Sequence, residues 1–206
     1  MQALLIALPA VLFIVDPIGV VPLFVAMTAN DDVKKCRTMA LRACLTAGGV
    51  LIFFALSGSL IFKFFGVSLA AFRVAGGLLL MLTALDMLRA QPPATRTSPQ
   101  EAEEGKERED IAIVPLAMPL LAGPGAIATV MTLMAQFGGD LLSGSMVILS
   151  IVVTLGITYV VLRSANGVKR VLRQTGIAVL ERVFGLILAA IAVQFMFEGG
   201  KALIAG

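Results

Sequence analysis

Six apolar runs set the pattern of this chain, separated by short polar or basic stretches. The first covers Ala3 to about Met27, the second Ala43 to Phe62 and the third about Gly66 to Leu88. The fourth spans Ile111 to about Gln136, the fifth Ser145 to Leu162 and the sixth about Gly176 to Gly199. About 20 residues at 1.5 Å each cross a hydrocarbon core, so each run predicts a transmembrane helix. Two runs carry interruptions. Asp16-Pro17-Ile18-Gly19 sits inside the first and Gly123-Pro124-Gly125 inside the fourth. Proline lacks the N–H and clashes with the preceding turn, and glycine gives up backbone order. The pattern therefore predicts an all-α integral membrane protein of six transmembrane helices, the first and fourth discontinuous at Pro17 and Pro124.

Between the third and fourth runs, Arg89 to Asp110 is polar and rich in Pro, Thr, Ser and Glu. That composition reads as a linker that cannot bury a core. It divides the chain into a first three-helix repeat (1–90), a linker (91–110) and a second three-helix repeat (111–206). Pro17 lines up with Pro124, about 107 residues on, and Phe72-Arg73-Val74-Ala75-Gly76 resembles Glu181-Arg182-Val183-Phe184-Gly185. Three spans per half force the halves into opposite orientation, the signature of inverted repeats with a site at their interface near the midplane.

Charge sets the expected orientation. Thirteen of the 16 basic residues lie on one side of the predicted spans, and only Lys63, Arg73 and Lys201 on the other. By the positive-inside rule the basic side is cytoplasmic, which places the linker inside and both termini outside.

Composition changes the picture only by exclusion. Hydrophobic residues make up 59% and charged residues 14%, with a mean hydropathy of +0.99, which excludes a soluble domain. The net charge of +3 lies between the spans, so it reads as a topology signal and not as a nucleic-acid surface. With no His and no metal-ligand spacing, Cys36 and Cys44 read as structural and no metal or cofactor is expected. No cleaved signal peptide is expected either, because no basic residue precedes Lys34. A catalytic constellation is missing from the sequence, so the chain is not expected to be an enzyme.

The interruptions are the candidate site. In lipid an unwound turn is tolerated only where it is buried in protein or lines a wet cavity. A helix broken there offers N–H groups at the start of one half, suited to a carboxylate, and carbonyls at the end of the other, suited to an ammonium or cation. A zwitterion needs both. The alternative is a proline kink with Asp16 capping the second half. Asp16, a carboxylate at membrane depth costing about 2.5–3.5 kcal/mol, could bind a substrate amine, hold Na⁺ or carry a coupling H⁺, or serve only as that cap. Thr83, Thr129 and Gln194 are uncharged polar groups inside spans, with interhelical hydrogen bonding as the default and lining of the site as the alternative. Arg73, Arg182 and Glu181 lie near span ends, where snorkelling or an ion pair is expected ahead of substrate contact.

Asp16-Pro17-Ile18-Gly19 with Val21-Pro22-Leu23-Phe24, the run Val114 to Ile127, Arg73-Val74-Ala75-Gly76-Gly77 and Ala192-Val193-Gln194-Phe195 together resemble the MarC family of bacterial and archaeal inner-membrane proteins. The resemblance implies two inverted three-span repeats with discontinuous first and fourth helices, and relatedness to transporters of small neutral amino acids such as glycine and alanine. Carried onto this chain, the binding residues are Asp16, Pro17, Ile18 and Gly19 with Gly123, Pro124 and Gly125. Many members have Asn where this chain has Asp16, and often Asn where it has Val20. The expectation is thus a secondary transporter of a small neutral amino acid, working by alternating access with H⁺ or Na⁺ coupling. The rivals are an exporter of amino acids or drugs, and a non-transporting membrane scaffold or sensor. The expected partners are a small amino acid and the lipid bilayer, with self-association left open.

Overall fold

The first apolar run folds as two helices, because Pro17 and Gly19 interrupt the backbone ladder. A computed structural model describes residues 2–29, 31–89 and 111–205. In it α1 (Gln2–Val15) and α2 (Val20–Met27) meet at a bend of 41°. Next comes α3 (Val33–Phe65), begun by Asp32, whose carboxylate accepts from the Lys35 N–H at 2.7 Å. It ends at Gly66, where φ of 65° suits a residue without a β-carbon. Ser68 caps α4 (Leu69–Leu88) through the Ala71 N–H at 3.1 Å.

The fourth run also divides. α5 (Ala112–Leu121) and α6 (Pro124–Phe137) are bent by 57°. Within α5, Val114 (φ −128°, ψ 124°) and Met118 (φ −130°, ψ 129°) are extended, and each precedes a proline, whose ring disfavours the helical conformation before it. The coil widens accordingly, with five-residue hydrogen bonds from the Leu116 N–H to the Ile111 carbonyl (3.2 Å) and from Ala122 to Ala117 (2.9 Å). This irregularity was not anticipated from the sequence. Asp140 caps α7 (Leu141–Arg163), and hydrogen bonds from the Ser143 side chain and backbone hold its carboxyl below its usual range. The last helix is α8 (Ala165–Ala205), interrupted at Arg173 (φ 52°, ψ 179°).

Among the described residues every regular element is a helix. Four are long and apolar enough to cross a membrane: α3, α4, α7 and the Thr175–Ile204 part of α8. Counting each bent pair as one crossing raises the number to six. The second and sixth helices begin well before their apolar runs, α3 at Val33 and α8 at Ala165. Their early turns carry Lys34, Lys35 and Arg37 in α3 and Lys169 and Arg170 in α8, so hydropathy marks only the part suited to lipid, while the hydrogen-bonded coil continues beyond it. The expected linker at 91–110 lies outside the described residues.

The halves interlock. α4 packs along α8, α3 along α7, α5 and α6, and α1 along α7 and α6; α2 rests on α8. α4 and α8 run antiparallel, as three glycines show. A β-carbon on Gly77 would meet the Ala192 carbonyl at 2.9 Å, one on Gly185 the Ala84 carbonyl at 3.0 Å, and one on Gly199 the Ala70 carbonyl at 2.8 Å. Small residues let helix backbones approach where lipid offers no hydrophobic driving force. Large apolar side chains such as Leu60, Phe64, Val160 and Leu186 stay exposed on the outside, a surface that suits lipid and would aggregate in water.

The contact at Gly77 is testable. Gly77→Ala forces a methyl against backbone and should lower unfolding stability in detergent by about 1–3 kcal/mol. Gly49→Ala, with open space around it, should leave the same thermal transition unchanged.

Candidate functional site

At the first interruption the chain leaves α1 through Asp16, which takes φ of 52° and is 2% exposed. Its N–H still donates to the Leu12 carbonyl at 3.0 Å, and its own carbonyl accepts weakly from Val20 at 3.4 Å. The carboxylate turns back so that Oδ1 accepts from the Gly19 N–H at 3.1 Å. A β-carbon on Gly19 would overlap Asp16 Oδ2, so glycine is what lets the carboxylate close over the start of α2. Pro17 is buried, and Ile18 and Gly19 are half-buried. Asp16 therefore ties down the turn ahead of α2 through the N–H of Gly19, which is itself the N-cap residue of that helix.

The second interruption is built differently. Ala122 leaves the helical conformation (φ −106°, ψ 57°), Gly123 is extended (φ −75°, ψ 171°), and Pro124 is the first residue of α6, where its missing N–H costs nothing. The break thus falls just before Pro124 and not at it. Gly123, the N-cap residue, has no side chain with which to cap α6; the Ile127 N–H donates to the Gly123 carbonyl at 3.0 Å, and the N–H groups ahead of it have no intrahelical acceptor, as at any helix start. Pro124 is exposed while Gly123 is buried.

The two interruptions meet. A β-carbon on Gly125 would lie 3.1 Å from Ile14 Cδ1, two residues ahead of Asp16, and 3.7 Å from Thr83 Oγ1. Between them lies a cavity of about 10 Å³ lined by Ile14, Thr83, Leu120 and residues 123–126. A single water needs about 10–15 Å³ on this measure, so an amino acid fits only if the breaks move apart.

Of the residues singled out in the sequence, the structure gathers Gly123, Pro124, Gly125 and Thr83 around this cavity. Asp16, Pro17, Ile18 and Gly19 form the turn directly behind Ile14 without lining it. Thr129 sits one turn into α6, its hydroxyl donating to the Gly125 carbonyl at 2.7 Å, and Thr83 donates to the Leu79 carbonyl at 3.0 Å. Gln194 is exposed on α8, where its Nε2 donates to Glu198 Oε1 at 2.6 Å, and it does not line the cavity. Ile14 and Leu120 were missed, since an apolar residue in an apolar run carries no signal of its position.

Residues 1–204 match the sequence profile of a family described as MarC family integral membrane protein. A UPF0056 membrane protein of Methanocaldococcus jannaschii is 43% identical over 199 residues, covering 97% of this chain and 96% of its own length. The UPF0056 membrane protein of Aquifex aeolicus is 37% identical over 196 residues, 95% of this chain and 91% of its own. The Escherichia coli UPF0056 membrane protein YhcE is 34% identical over 194 residues, 94% of this chain and 89% of its own. No solved structure gives a significant match.

The Asp16–Gly19 contact gives a mutational order. Asp16→Asn keeps an oxygen for the Gly19 N–H and tolerates the left-handed backbone, so its melting temperature in detergent should stay near that of the parent. Asp16→Ala loses the carboxylate contact and should cost about 1–2 kcal/mol. Gly19→Ala must displace the carboxylate and should cost about as much or more.

Proposed function

The chain belongs to the MarC family of integral membrane proteins, and on that premise we propose that it is a secondary transporter of small neutral amino acids, with glycine and alanine as reference substrates. The observation that carries this reading is the meeting of the two helix breaks, Ile14 against Gly125 and Thr83, around a cavity too small for its substrate. Two facing interruptions supply what a zwitterion needs. First-turn N–H groups of α6 take the carboxylate, and carbonyls at the end of an adjacent half-helix take the ammonium. Few side chains are required, which favours a substrate with a small side chain of its own.

Six crossings arranged as two inverted repeats fit the packing. Exchanging the halves keeps some of the pairings, since α1–α2 lies on α7 as α5–α6 lies on α3, and α4 touches α6 as α8 touches α2, while α1 on α6 and α6 on α7 have no comparable counterpart. The antiparallel course of α4 and α8 suits third spans that cross in opposite directions. Rocking of one repeat against the other then opens the cavity to each side in turn. The protein lies in the cytoplasmic membrane with both termini outside and the 91–110 linker inside. No covalent step belongs to this reading, and H⁺ or Na⁺ supplies the coupling. Because Asp16 is engaged by Gly19, gripping falls mainly on main-chain groups, and the carboxylate serves coupling through its protonation or ion contact.

Purified protein in liposomes should take up labelled glycine and alanine saturably, driven by an inward H⁺ or Na⁺ gradient. Gly125→Ala, which crowds the flexible tip of Ile14, should slow uptake by about tenfold or more, whereas Gly49→Ala should not. If neither amino acid binds or moves under any gradient, the substrate assignment is wrong. Where uptake follows pH, Asp16→Asn should abolish pH-driven uptake and spare exchange; an unaltered pH dependence removes Asp16 from coupling.

A further inference from the structure

The wall of the cavity at the breaks is uneven in what it is made of. Gly123, Pro124, Gly125 and Ala126 contribute main chain and side chains that are short or closed into a ring. Thr83 adds a hydroxyl that donates to the Leu79 carbonyl at 3.0 Å. Only Ile14 and Leu120 bring long branched apolar side chains, and both are buried. The atom nearest to where a β-carbon on Gly125 would stand is Ile14 Cδ1, at 3.1 Å, with Ile14 Cγ1 at 3.6 Å and Thr83 Oγ1 at 3.7 Å. The tip of Ile14 thus stands against the gap that glycine leaves at position 125.

Ile14 has little freedom to withdraw. It is the last residue but one of α1, and its neighbours on both sides are fastened. Phe13 packs on Phe184 of α8 at a ring separation of 5.0 Å. Val15 is fully buried, and Asp16 is tied to the Gly19 N–H. Branching at the β-carbon confines χ1 to one strongly preferred rotamer in a helix. What remains is rotation about χ2, which moves Cδ1 alone, the very atom that faces Gly125. Swinging it aside frees about the room of one methyl group. An amino acid whose carboxylate sits on the first turn of α6 carries its α-carbon close to Gly125, so its side chain meets Ile14. Glycine brings a hydrogen there and alanine a methyl group, whereas a branched side chain overlaps the end of Ile14.

Resting on the transport reading above, we propose that Ile14 is a specificity-determining residue of the site: the end of its side chain sets the largest substrate side chain accepted between the breaks. One methylene more or less in an apolar pocket discriminates by about 10- to 200-fold. Rejection of larger amino acids here is steric, so shortening Ile14 relieves it while the main-chain groups of α6 stay in place.

The test follows uptake of labelled glycine by the full chain in liposomes, in competition with unlabelled alanine and valine. For the parent protein the half-inhibitory concentration of valine should exceed that of alanine by about tenfold or more. In Ile14→Ala this ratio should fall by about tenfold or more, and in Ile14→Val, which lacks only the terminal methyl group, it should fall part of the way. Val11→Ala empties a fully buried position about one turn earlier in α1 that does not line the cavity, and should keep the parent ratio. A ratio of two competitors on one variant does not depend on how much of that variant is folded, so lost stability alone does not move it. Should Ile14→Ala fail to fold, Ile14→Val carries the comparison. The proposal is overturned if valine competes as well as alanine in the parent, if the ratio is the same in the parent and the Ile14 variants, or if Val11→Ala lowers it equally; in each case glycine uptake by the parent leaves the transport reading standing. If the parent moves neither glycine nor alanine under any gradient, the transport reading fails and the role of Ile14 fails with it.

Discussion

A hydrocarbon environment offers no hydrogen bonds, so every peptide group that leaves a helix inside it must find a partner within the protein. That constraint governs this molecule. Both interruptions are tolerated because they are folded inward, and each meets the demand by a different route. At the first, Asp16 bends its carboxylate onto the Gly19 N–H. At the second, Pro124 removes one donor, and the remaining first-turn groups of α6 stand beside Ile14 and Thr83. One break is closed by a side chain of its own turn, while the other opens a helix at a glycine that has no side chain to cap it. The difference gives the site polarity without a single charged side chain lining it.

Close approach of backbones does the rest. α4 and α8 touch at Gly77, Gly185 and Gly199, each within about 3 Å of an opposing carbonyl once a β-carbon is imagined. Such a contact fixes the register of the two helices. α4 in turn presents Thr83 to one end of α6 and Gly76 to a point further along it. The long helix pair is therefore the frame against which the broken helices are positioned. The less regular coil of α5, with its extended residues at Val114 and Met118, leads directly into the second break.

Much of this was legible in advance. The six apolar runs, the places where two of them break and the all-helical class follow from local rules that need no partner: apolar length, missing N–H groups and glycine. Family membership followed from motifs of the same local kind. Helix lengths were less legible, because the charged early turns of α3, begun by the Asp32 cap, and of α8 are hydrogen-bonded coil that hydropathy does not register. The widened coil of α5 was encoded in Pro115 and Pro119 four residues apart, yet a proline also reads as a simple kink.

What the sequence by itself determined was that the chain is a membrane protein with two inward-turned breaks, since the cost of an exposed peptide group in lipid is set residue by residue. Only the tertiary structure decided which groups share a site. Thr83 and Ile14 meet the second break at Gly125, and Gln194 lies on the outside. Neighbours on different helices are chosen by packing register, and register depends on how two surfaces fit, which no single stretch of chain contains.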